Sequence, residues 1–186
     1  MSDLAETRER PERQLWDMLG QVNAGMLGIS DSDQHMQPMA PQVDEKNRKL
    51  WFFTHRDGDL ARAVQTPKRA QFCVIGPHHD YHACLTGTLS EHLDRSVRDQ
   101  FWNSVAAAWF KGGKDDPGLT MLELKLDDAA IWASTRNPIT FGWQIAKANI
   151  VGGEPEVGAR AHVDFKVPMP ASNVAHNDAH ARQAGL

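Results

Sequence analysis

The sequence predicts a mostly β fold with peripheral α-helices, six strands closing into a small barrel. Three observations point there. From Met26 to Val64, short apolar segments alternate with polar turns, the pattern of a meander. Through Leu85, Leu89 and Leu93, with Gly87 and Glu91 between them, and again at Leu122, Leu124 and Leu126, leucines mark one face of half-buried strands. Helical periodicity is confined to a few insertions, and a closed barrel is the usual way for so many short strands to avoid exposed edges.

Taken in order, Leu15, Met18, Leu19 and Val22 form an i, i+3, i+4, i+7 stripe over Glu12–Val22, with Pro11 suited to a first turn. This is an opening amphipathic helix. Apolar segments Met26–Ile29 and Met36–Val43 flank the polar turn Ser30–Gln34, and the charged turn Asp44–Lys49 leads to a third strand, Leu50–Thr54. In that strand Trp51 alternates with Phe53, and one of the two is expected inside the barrel. A short helix opens at Asp57-Gly58-Asp59 and stops at Thr66-Pro67. Ala70–Ile75 and Tyr81–Leu93 form a hairpin about Gly76, Pro77 and Asp80.

A longer helix follows. Asp94 and Ser96 offer caps, Val97, Phe101, Val105 and Trp109 line one face, and Gly112-Gly113 ends it, so Trp109 is expected in the core. Leu119–Leu126 and Ala130–Ala133 close the sheet, and Asn137-Pro138 starts a last helix through Ala148. Asn149–Lys166 reads as an irregular arm and Pro168–Leu186 as a mobile tail. The division is therefore residues 1–10 as a flexible N-terminus, 11–150 as the barrel domain, and 151–186 as arm and tail.

A meander running into a helix N-terminus, with Gln37-Pro38-Met39 in mid-strand and Trp51-Phe52-Phe53-Thr54 before the corner, resembles the flavin-binding split barrel. This is the fold of pyridoxamine 5′-phosphate oxidase and of the related general stress proteins, and the resemblance runs from about Leu15 to Ala148. It implies a homodimer with FMN, or FAD or another flavin, in the groove between subunits. Gln37-Pro38-Met39 lies where the family carries Arg-Pro-Met, whose strand addresses the pyrimidine edge of the ring. Gln37 keeps an amide but lacks the positive charge, which weakens support for a reduced, anionic flavin. His35 stands beside that strand as a further ligand contact.

For the phosphate, the family has a Ser and then a Lys at the helix start; an ungapped alignment puts Gly58 and Leu60 there. Gly58 permits close backbone approach, while Asp57 and Asp59 suit the helix dipole and oppose an anion. Phe53, Thr54, His55 and Arg56 complete the corner, with Arg56 the main cation and Arg62 nearby. Trp132 follows the last strand, where the family often places an aromatic near the ring. The basic residues are too few for a working pyridoxamine phosphate oxidase, so the resemblance implies a flavin-dependent oxidoreductase of unspecified substrate or a non-catalytic flavin binder.

A rival reading takes His78, His79 and His82, around Asp80, as a haem or metal site; Pro77 and Asp80 also explain that segment as a solvated turn. Cys73 and Cys84 lie symmetrically about the same turn and are expected as reduced, half-buried strand residues, with a structural disulfide as the alternative. The chain has 186 residues, enough to bury one core, and 20 basic against 24 acidic residues give a charge of −4, against a nucleic-acid partner. With no apolar leader and no run of ~20 apolar residues, the sequence predicts no membrane partner and a cytoplasmic address.

Overall fold

A computed structural model describes residues 3–135 and 157–167. Eight strands form one antiparallel sheet: β1 Gly25–Ile29, β2 Gln37–Met39, β3 Gln42–Asp44, β4 Lys49–His55, β5 Lys68–Ile75, β6 Tyr81–His92, β7 Leu119–Ser134 and β8 Gly158–Asp164. Five helices accompany them: α1 Leu4–Glu9, α2 Pro11–Leu19, α3 Asp59–Ala63, α4 Arg95–Phe101 and α5 Ser104–Trp109. The strands run β2-β1-β5-β6-β7-β4-β3, and β8 pairs with the second half of β7.

Closure follows from one connection. β2 and β3 stand at opposite ends of that path, yet only Ala40 and Pro41 separate them in sequence. Laid flat, six inter-strand spacings would hold the ends about 29 Å apart. The link from Met39 to Gln42 spans at most about 11 Å. The sheet must therefore curl until its edges meet, leaving a split between β2 and β4 and not a continuous ladder.

The strand count exceeds six for two reasons. The segment Met36–Val43 breaks at Ala40-Pro41 so that one half pairs with β1 and the other with β4. The arm expected to be irregular instead holds β8, whose Ala159, Val163 and the following Phe165 are buried. Phe165 packs against Trp16 of α2 with ring centroids 5.5 Å apart. Arg48 ties the same end down, donating to the carbonyls of Phe165 and Val167 while pairing with Glu12 at 3.2 Å. The N-terminus is likewise a correction to the expectation of flexibility: Asp3 caps α1, and the fully buried Thr7 donates to Gln14 at 2.7 Å.

Phe52, Phe72, Leu85, Leu122 and Leu124 point inward and are completely buried, with Phe52 and Phe72 edge to face at 5.1 Å. Leu15, Trp16, Met18 and Leu19 of α2 complete the core. Neither Trp51 nor Phe53 faces it. Residues two apart share a face of a strand, so both look outward. Trp51 is buried there by Phe101, 5.8 Å away, and His92, 4.8 Å away.

The long helix expected after Asp94 is two short ones. Trp102 is extended, and the Asn103 side chain accepts from the Ala106 amide, starting α5 afresh. The break turns the presumed apolar face outward: Val105 is 57% and Trp109 73% exposed. The last helix, Asn137 to Ala148, and the tail beyond Pro168 lie outside the described residues.

Candidate functional site

Most of the residues singled out in the sequence gather at the split. Antiparallel partners share a face, so register orients each of them. Gln37 pairs with the inward Leu27 and Met39 with Gly25, whereas Pro38 pairs with Met26 and faces outward. The β3–β4 register sets Gln42 opposite Trp51. Ala40 and Pro41 join Met39 to that pair, so the β2 tripeptide ends within about 11 Å of Gln42, on the side of the sheet where β4 runs to the Phe53–Gly58 corner. His35 is exposed in the loop before β2.

Local packing shapes the corner. Phe53 meets Trp102 edge to face at 5.5 Å, and the His55 ring lies 4.7 Å from Phe110, so the α4–α5 break covers this side. A Cβ at Gly58 would stand 3.0 Å from the His55 carbonyl oxygen and 3.5 Å from the Thr54 hydroxyl. Glycine therefore relieves a clash with that carbonyl and leaves room beside the Thr54 hydroxyl, which can donate to an anion. The Gly58 amide itself donates to His55 O at 2.9 Å.

The cations fit an anion less well. Arg56 donates to the Leu119 carbonyl at 3.2 Å and pairs with Glu91 at 3.6 Å, while Arg62 pairs with Asp59. Glu91 also accepts from Thr120 at 2.6 Å. Leu60, aligned with the family's lysine, is only 1% exposed and packs in the core. Glu91 and Thr120 escaped the sequence reading because they reach the corner from β6 and β7, far along the chain. The cleft between Arg56, His92, Arg98 and Thr120 holds about 40 Å³, room for water and not for a ring system. Asp116 accepts from the Gly118 and Gly112 amides, which hold its carboxyl below the usual range.

Trp132 stands apart. It pairs with His82, and β6, β5 and β1 separate its strand from β2. β7 adjoins β4, but Trp132 lies twelve positions beyond Thr120, the partner of Thr54, so it stands at the far end of its strand from the corner. On the outer face it joins Met26 and Ile75, all three substantially exposed. His78 and His79 are exposed at the hairpin tip, with His79 at φ 58°, and His82 is on the adjoining strand. Among the described residues, no three His, Cys, Asp or Glu side chains converge as a metal site. No helix among them is long and apolar enough to cross a membrane.

A family model described as "pyridoxamine 5′-phosphate oxidase like" matches residues 10–156. The chain belongs to this family. A candidate general stress protein 26 from Jannaschia sp. CCS1 is 37% identical, with a TM-score of 0.69 over 82% of this chain and 97% of that one. A general stress FMN/FAD binding protein from Xanthomonas citri is 34% identical, with a TM-score of 0.61 over 66% of this chain and 87% of the other. A candidate general stress family protein from Xanthomonas campestris is also 34% identical, at 0.64 over 74% and 93%. No curated protein matches the chain.

Proposed function

We propose that this protein binds FMN at the split between β2 and β4 and works in the cytoplasm as a homodimer. One observation supports the reading: the two-residue link Ala40-Pro41 brings the Gln37-Pro38-Met39 strand to the side of the sheet where β4 leads to Phe53, Thr54, His55, Arg56 and Gly58. A flavin needs an apolar wall, polar contacts at one edge and an anion cradle. Met39 serves as wall, Gln37 on the same face of β2 and His35 as edge contacts, and the Thr54 hydroxyl beside Gly58 with Arg56 as the phosphate contacts. The likeness to an FMN/FAD binding protein supports this assignment.

The position of Trp132 supports the dimer. Exposed at the far end of β7 from the Thr54 corner, it would meet the ring from a second copy. Bound flavin would supply reversible hydride or electron transfer, and reduction by a nicotinamide cofactor separates an oxidoreductase from a passive binder.

A fluorescence titration with FMN and riboflavin tests the cradle. Arg56→Ala should weaken FMN about tenfold to a hundredfold, the worth of a charge-assisted contact, and leave riboflavin unchanged. Glu91→Gln should tighten FMN, because Arg56 then has no competing carboxylate. Equal losses of both flavins in Arg56→Ala would mean that the arginine holds the fold and not the phosphate.

A further inference from the structure

The chain has two cysteines, and the fold sets them side by side. Cys73 on β5 and Cys84 on β6 are direct register partners, in a ladder running without a shift from Lys68↔Leu89 to Ile75↔His82. Both are free thiols, partly exposed, and their sulfurs are 3.2 Å apart. Cys73 also pairs with Met26, and Cys84 with Ala130, which puts both sulfurs on the outer face. We propose that Cys73 and Cys84 form an oxidisable dithiol, a modification site that a hydroperoxide converts into a cross-strand disulfide. The proposal does not depend on the flavin reading.

Geometry makes the product accessible without moving the backbone. Directly opposed residues of antiparallel strands have Cα atoms about 4.5–5.5 Å apart, inside the range of about 4.4–6.8 Å that disulfides span. Only the sulfurs must approach, to about 2.05 Å, which side-chain rotation supplies. No strand has to slip, so the oxidised and reduced proteins share one register.

The two sulfurs are also unequal, which assigns their roles. When Cys73 ionises, the Cys84 S–H donates to it, and this holds the Cys73 thiol at about 7. The same interaction pushes the Cys84 thiol up, and burial and the Asp128 carboxylate push the same way. Asp128 sits on the outer face of β7 two residues from Ala130, the partner of Cys84, so its carboxylate disfavours a thiolate on Cys84 and leaves Cys73 as the nucleophile.

The Cys73 thiolate attacks one oxygen of hydrogen peroxide. The O–O bond breaks, hydroxide leaves and takes the released proton as water, and Cys73 becomes a sulfenic acid. With the thiolate charge gone, Cys84 loses its proton more readily and attacks the Cys73 sulfur. The S–O bond breaks, the S–S bond forms, and a second water departs with that proton. Two thiols and one peroxide give one disulfide and two waters; the sulfurs lose two electrons and the peroxide gains them.

The test treats the full-length purified protein, with any cofactor it carries, with one equivalent of hydrogen peroxide per chain, then counts thiols and measures intact mass. Both thiols should vanish together, the mass should fall by two hydrogen atoms, and a thiol reductant should restore both. In Cys84→Ser the first step survives alone, so a 1,3-diketone should trap a sulfenic acid on Cys73. In Cys73→Ser that trapping should be lost. Two thiols persisting in the folded protein would overturn the proposal. So would disulfides joining separate chains in place of the internal bond, or independent conversion of each cysteine to sulfinic acid.

Discussion

Replacing Leu60 by lysine is expected to destabilise the fold by about 3–5 kcal/mol without creating a phosphate site. The substitution restores the residue that the family alignment calls for. Packing opposes it: Leu60 is 1% exposed on the inner side of α3, beside Ala61 and Val64 in the core. A lysine there loses the apolar contacts and must either give up its proton or drag its ammonium to solvent and open a cavity. Urea unfolding should show a lower midpoint with an unchanged slope, and FMN affinity should not improve. Tighter FMN binding at unchanged stability would mean that α3 can roll to present position 60 to the ligand.

Gly87→Ala is expected to cost about 3 kcal/mol, a fall in Tm of roughly 6–12 °C for a domain of this size. Gly87 sits where the β6–β7 register shifts after Thr86. A Cβ there would lie 2.1 Å from the Lys125 carbonyl oxygen and 3.1 Å from the Leu126 Cα, both backbone atoms. Neither can swing aside, because β7 is held on its other edge by β4, with Leu124 opposite Leu50. The strands must part, and Leu85 and Leu89 go with them. A calorimetric Tm within about 2 °C of the parent would show that the bulge absorbs a methyl group.

The strands legible in the sequence are those with clean alternation between inner and outer faces. The meander, the β5–β6 hairpin and β7 all fall where apolar residues recur with period two. β8 carries the same period in Ala159, Ala161, Val163 and Phe165, but small residues and the flanking glycines hide it. Its burial depends on Trp16 and Arg48, which are remote in sequence. The helical stripe through Val97, Phe101, Val105 and Trp109 misled because periodicity does not register a break; the Asn103 cap decides that, and it exposes Trp109.

The candidate site divides along the same line. Gln37-Pro38-Met39 and Phe53–Gly58 are contiguous motifs, and the curl of the sheet brings both to one side of it. Glu91, which competes for Arg56, comes from β6 and has no local signature. Trp132 is separated from the corner by the length of β7, twelve positions beyond the partner of Thr54.

The central claim, that the split holds FMN, is tested most directly by the visible absorption spectrum of the purified protein, with mass spectrometry of the chromophore released on denaturation. The account predicts flavin bands and the mass of FMN, at about one molecule per chain. A protein that purifies colourless and neither quenches nor shifts FMN fluorescence on reconstitution would contradict it.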